Sequence, residues 1–305
     1  MPALVTNRHF AQLLALSALW GSSFLFIRIA SPVLGPLVLA EARVLLACGV
    51  LLLALKLSGI RLQRAWWPEL ALVGLLSVAL PFVLYAWAGL HIPAGYSALL
   101  NTSAVLFGAL ASAWLGEDRI TARKLLGCAL GFVGVALVVR LGPVAMTPTV
   151  VWAALACVCG AACYGMCTPL MKRATRRMPT LAIAAGSHLT SAVLLAAPAA
   201  WALPSAQIST AAAVSVLVMG VVTSGGAFWM HLRIIERVTP VAAMAPTFLI
   251  PVFGVGWGYL VLGEPMGVGT VLGGLLVLAA AALVTGFNPL TKPMQRLMVA
   301  LGPKP

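Results

Sequence analysis

Nothing limits the fold of this chain more than a succession of apolar runs, each about 20 residues long. A helix of about 20 residues, rising 1.5 Å per residue, crosses the ~30 Å hydrocarbon core of a bilayer. The runs lie at 10–30, 36–57, 68–90, 95–115, 121–141, 148–171, 180–201, 209–232, 240–262 and 268–287. Many are separated by helix stops or starts: Ser31-Pro32, Ser58-Gly59, Ile92-Pro93, Gly142-Pro143, Met178-Pro179 and Thr239-Pro240. None alternates with the period of a barrel strand. Of the 305 residues 62% are hydrophobic and 8% charged, too few charges to coat a soluble domain, where about 25% is usual. The reading is an all-α membrane protein of ten transmembrane helices with no separate soluble domain.

Charge placement gives an orientation. With the N-terminus in the cytoplasm, 16 of the 19 Lys and Arg fall in inside segments, Arg28 and Arg140 fall outside, and Arg43 lies within a span. This predicts cytoplasmic N- and C-termini in a cell inner (plasma) membrane, with 288–305 as a basic tail on the cytoplasmic headgroups. The net charge of +13 therefore calls for no nucleic-acid partner. The first apolar run is long enough to span, so it reads as a helix rather than a cleaved signal peptide.

The chain resembles itself at a shift of about 145 residues. Ala18, Trp20, Gly21 and Ala30 match Ala162, Tyr164, Gly165 and Ala174. Pro93 matches Pro240, and Leu115-Gly116-Glu117 matches Leu262-Gly263-Glu264. Each half, 10–141 and 148–287, holds five spans. An odd number turns the second half over relative to the first, giving two inverted five-helix repeats around a central cavity, a recurrent design of secondary transporters.

Three stretches carry a family resemblance. They are Trp20-Gly21-Ser22-Ser23 with Arg43, Ala113-Trp114-Leu115-Gly116-Glu117, and Leu260-Val261-Leu262-Gly263-Glu264 with the preceding Phe248 to Phe253 helix. The chain resembles the EamA family of the drug/metabolite transporter superfamily. That resemblance implies ten helices around a cavity and a substrate among amino acids, related metabolites, nucleobases or drugs, often exported.

Site residues come from polar and aromatic groups at depth. Glu41 and Arg43 sit roughly 7 and 10 Å into the second span by helical rise. At that depth an ionisable group costs at least a few kcal/mol unless it faces a cavity or a partner. Arg43 would bind an anionic group such as a substrate carboxylate; alternatively it braces helix ends. Glu41 would hold an amine or a proton; alternatively it snorkels outward. Asn101 is a substrate contact or interhelical glue, and Tyr85, in the preceding span, is a substrate contact through its hydroxyl or its aromatic face. Trp20 and Tyr164, at matching repeat positions, are cavity walls or packing; Trp229, with His231 nearer the cytoplasmic end, is a substrate contact or only lines the vestibule. His188, roughly 12 Å into the seventh span, is a second candidate for proton coupling or a buried neutral histidine. Glu117 and Glu264 close turns or pair across loops as part of a gate, and Pro251 is a hinge point.

The sequence shows no HExxH, P-loop or paired-carboxylate spacing, so no enzyme, cofactor or metal is expected. The cysteines of the sixth span read as small packing residues. Gly127/Gly131 and Gly269/Gly273 permit close helix contact within the chain or in a dimer, so monomer and homodimer both stay open. The expected function is secondary transport, in the direction of export, of a small polar or amphipathic metabolite such as an amino acid, by alternating access. The alternatives are a polytopic membrane enzyme and a non-transporting receptor or assembly subunit.

Overall fold

The computed structural model describes residues 7–92, 94–139, 147–262 and 267–286, and they form helices with short connections. The first five helices are α1 (Asn7–Leu34), α2 (Pro36–Leu57), α3 (Arg64–Ala88), α4 (Tyr96–Trp114) and α5 (Ala122–Val139). The second five are α6 (Pro148–Ala174), α7 (Thr180–Ser205), α8 (Thr210–Ile235), α9 (Pro246–Leu262) and α10 (Val268–Thr285). Eight of these are long and apolar enough to cross a membrane; α5 and α9 complete the bundle at 18 and 17 residues.

Local chemistry sets the boundaries. Pro36 opens α2 where its missing N–H costs nothing, and Gly35, at φ 74°, lets the chain turn out of α1. The side chains of Thr147 and Ser209 accept from Val150 and Ala212 N–H, capping α6 and α8. Thr239 does the same for the short turn Pro240–Ala243 that precedes α9.

The two halves pack reciprocally. In each, the first helix lies on the fourth helix of the other half, and Gly21 and Gly165 mark the crossings. A methyl group on Gly21 would lie 2.9 Å from both Ile250 O and Phe253 Cβ, and 3.1 Å from Gly254 N. On Gly165 it would lie 2.7 Å from Ala104 O, and 2.6 Å from both Phe107 Cβ and Gly108 N. The same three atoms, at the repeat shift, meet each glycine. A second pair behaves alike: Gly74 of α3 rests on Ser187 O of α7, and Gly220 of α8 rests on Arg43 O of α2.

Both third helices also contain a π-turn, over Leu75–Ala79 in α3 and Met219–Gly226 in α8. In α3 the cause is Pro81, which cannot donate the α-helical bond to Ser77. In α8 the corresponding stretch is loosened by Gly225 and Gly226, and Ala227 N–H bonds back to Val222 O instead of Thr223 O. Ser77 Oγ donates to Val73 O, and Thr223 Oγ1 donates to Met219 O, four residues back in both cases.

The glycines of α5 and α10 are used inside the chain. Gly134 and Gly273 approach so closely that a methyl on either would lie within 2.9 Å of the other's carbonyl oxygen. This seam ties the two halves together through their last helices.

Candidate functional site

Between α1, α2, α3, α4, α6, α8 and α9 lies a cavity of about 140 Å³. Its walls repeat in pairs at the shift of about 145 residues: Trp20 and Tyr164, Ser77 and Thr223, Phe82 and Phe228, Tyr85 and His231, Asn101 and Thr247. Aromatic rings from the two halves meet at two of these places. Tyr85 stacks on Tyr164 with centroids 6.0 Å apart, and His231 meets Trp20 edge-on at 5.0 Å.

The π-turns supply polar atoms to this wall. The Thr223 carbonyl, left without its α-helical donor, accepts the Trp20 indole N–H at 3.0 Å. His231 Nε2 lies 3.0 Å from the Ala243 carbonyl, at the break before α9, which assigns the proton to that nitrogen. The Tyr85 hydroxyl is 2.8 Å from Asn101 Oδ1 and 3.0 Å from the Cys157 carbonyl. One phenolic proton serves one acceptor. The bonds balance when the Asn101 amide turns its NH₂ to the Tyr85 oxygen and Tyr85 donates to Cys157.

Arg43 is the only Lys, Arg, Asp or Glu among the lining residues. Its Nε donates to Ser224 Oγ at 2.5 Å, and its guanidinium lies 3.9 Å over the Phe82 ring. Among the described residues its Nη groups make no hydrogen bond, which leaves four N–H donors unused. Ser23 Oγ, also in the wall, is buried without a partner among the described residues. Arg43 is thus positioned but not neutralised: a planar fork with a serine on one side and an aromatic face beneath it.

Of the residues singled out in the sequence, Trp20, Arg43, Tyr85, Asn101 and Tyr164 come together around this cavity. Trp229 does not. The π-turn in α8 adds a residue and rotates the helix beyond it, so Phe228 and His231 face inward. Trp229 lies beside Arg233, whose guanidinium is 5.5 Å from the ring. Glu41 is buried on α2 away from the cavity, and its Oε2 has no partner among the described residues. His188 is fully buried behind the wall, edge-on to Phe228 at 4.9 Å. Its Nδ1 lies 2.9 Å from Ala184 O, and its Nε2 is unpartnered among the described residues. Pro251 is buried within α9, next to the lining Ile250. Ser224, Phe82, Phe228 and Thr247 were missed, and His231, read with Trp229 at the vestibule, lines the cavity itself; matching the repeats by position rather than by residue type would have found Thr247 and placed His231.

Glu117 sits at one end of the bundle, its side chain only 4% exposed. It accepts from Arg173 Nε at 2.9 Å and from both Nη groups of Arg176, while Arg173 also bonds the Leu115 carbonyl. This joins the α4–α5 turn of the first half to the α6–α7 turn of the second. Nearby, Lys172 Nζ donates to the Ile235 and Glu236 carbonyls at 2.7 and 2.8 Å, closing the end of α8. Glu264 and the 288–305 tail lie outside the described residues.

A bundle of apolar helices in two reciprocal halves around a small, partly polar cavity is the build of a membrane transporter. The profile of the EamA-like transporter family matches residues 10–140 and again 151–286. The chain belongs to that family, and it is a multi-pass membrane protein rather than an enzyme. It is 29% identical over 268 residues to a "Probable terminal-alkyne amino-acid exporter" of Streptantibioticus cattleyicolor, covering 87% of this chain and 89% of the relative. It is 31% identical to the "Uncharacterized inner membrane transporter YedA" of Escherichia coli K12, with 84% of each chain covered. A solved crystal structure at 20% identity superposes with a TM-score of 0.78 over 96% of this chain and 99% of that one, a likeness of fold.

Proposed function

We propose that the chain is a secondary transporter that exports a small amphipathic metabolite carrying a carboxylate, such as an amino acid, by alternating access of two inverted five-helix units, 10–141 and 148–287. The observation that carries the reading is Arg43, a buried cation held on one side by Ser224 and offering its Nη donors to an otherwise apolar and aromatic cavity. A buried charge at that depth is costly unless a counter-charge arrives, and a solute carboxylate is that counter-charge. The reciprocal seams at Gly21 and Gly165 support the inversion. With them, ten helices cross the membrane and both termini lie in the cytoplasm, in keeping with the bias of positive charge. The exporter named among the relatives supports the amino-acid class. Trp20, Tyr85, Asn101 and Tyr164 bind the body of the solute. The Glu117 cluster belongs to the cytoplasmic gate, which must part for loading. Glu41 and His188, off the cavity, are the two candidates for coupling to protons.

The test is efflux of labelled amino acids from proteoliposomes holding the purified chain. Arg43→Gln is expected to lower it about 100-fold while the folded protein is still recovered; undiminished efflux in that variant would sink the reading. Repeating the assay with and without a pH gradient in Glu41→Gln and His188→Gln checks coupling. Unchanged gradient dependence in both removes them from that role.

A further inference from the structure

The cavity holds one formal charge, and nothing opposite to balance it. Of the six acids in the chain, Glu41 lies off the wall, Glu69 pairs with Arg177, and Glu117 and Asp118 pair with basic residues at the bundle end. Glu236 follows the end of α8, and Glu264 is outside the described residues. No Asp or Glu lines the cavity among the described residues. A site that reads both ends of an amino acid would set a carboxylate against the ammonium as it sets an arginine against the carboxylate. Here the groups available to an ammonium are aromatic faces, Tyr164, Tyr85 and Trp20, and neutral oxygens such as that of Ser23. Such faces tolerate a cation, but they lose little when an uncharged group takes its place. Resting on the reading of Arg43 given above, we infer that the site requires the carboxylate and does not read the amine. Its substrates are monocarboxylates with an apolar body, with or without an amino group, and solutes that carry only positive charge are excluded.

Charge balance then decides the response to voltage. With a carboxylate bound, the cavity is neutral when the solute has no amine. Each such monoanion leaving the cell carries one negative charge, so an inside-negative potential drives its export, by roughly 50-fold in gradient per 100 mV. A zwitterion carries no net charge, and its gradient is indifferent to potential.

The experiment uses the full chain in proteoliposomes with two matched trios: leucine, 4-methyl-2-oxopentanoate and leucinamide; phenylalanine, phenylpyruvate and phenylalaninamide. Within a trio, the amino acid and the oxo acid are expected to exchange within about tenfold of each other. The amide should be about 10–100-fold poorer, the loss that goes with a charge-assisted hydrogen-bonded contact. Only the oxo acids should respond to an imposed potassium diffusion potential. Transport of the amino acids without the oxo acids, or of the amides as well as the amino acids, overturns the inference and leaves the transport reading standing. Failure of all six compounds to move or compete removes the amino-acid reading itself. Arg43→Lys should keep the preference for acid over amide, and Arg43→Gln should lose it.

Discussion

The two halves of the molecule agree where helices touch and at some positions of the cavity wall, and differ at others. Gly21 and Gly165 meet the same three backbone and Cβ positions across their seams, and Ser77 and Thr223 make the same bond four residues back. Around the cavity the partners change in kind: Arg43 answers to Ser187, Tyr85 to His231, Asn101 to Thr247. Ser187 bonds only to its own helix, through the Ala184 carbonyl. Helix contact tolerates little variation in size, because interiors pack at crystal density. A wall facing a solute is free to diversify. On the reading proposed above, symmetry serves the scaffold and asymmetry the solute, with one pole cationic and no matching pole opposite among the described residues.

The strongest perturbation of that asymmetry is Arg43→Gln, which makes the two poles alike. Efflux of a carboxylate solute is expected to fall about 100-fold, consistent with a lost charge-assisted contact near the upper end of about 1.5–3 kcal/mol. Next come the seams. Gly165→Ala is expected to cost about 1–3 kcal/mol by overpacking, read as a lower unfolding temperature in detergent. Gly21→Ala should cost less, because its new methyl meets neighbours at 2.9–3.1 Å rather than 2.6–2.7 Å. Equal losses would show that the seams relax alike and that the spacing difference carries no energy.

The ends of the bundle give a third contrast. Positions answering to Arg173 and Arg176 in the first half are Ile29 and Pro32, neither of them cationic. Glu117→Gln is expected to destabilise the fold by about 1–2 kcal/mol, a buried carboxylate losing its charge-assisted bonds to arginines that are themselves 41% and 60% exposed. The smallest effect belongs to Tyr85→Phe, about 1 kcal/mol for the hydroxyl shared with Asn101 and Cys157, with the stack on Tyr164 retained.

Much of this arrangement was legible in the residues. The apolar runs, the repeat, and the depth of Trp20 and Arg43 in their spans rest on composition and period, which the bilayer enforces strongly. The π-turns were not legible. Pro81 hints at one, but nothing in Met219–Gly226 declares an extra residue in the turn, and that residue decides that Phe228 and His231 face the cavity instead of Trp229. His231 also hid because Tyr and His share no sequence similarity, though both put a flat polar ring at the same place. The GxxxG pairs fitted a dimer and an internal seam equally well; within the chain Gly127 packs against Ala280 and Val284, Gly131 against Phe248, and Gly273 against Gly134.

The reciprocal seams also set a timetable for assembly. Gly21 emerges from the ribosome early, yet the helix it must touch is centred near Ile250 and Gly254. At about 5–20 residues per second the gap amounts to roughly 10–50 s of synthesis. Through that interval the first helix waits in the lipid with its mate unmade, exposing the glycine notch that α9 will fill. The last contacts to close are therefore among the first written in the gene, and a truncated chain that ends before residue 250 leaves the first half holding a surface meant for the second.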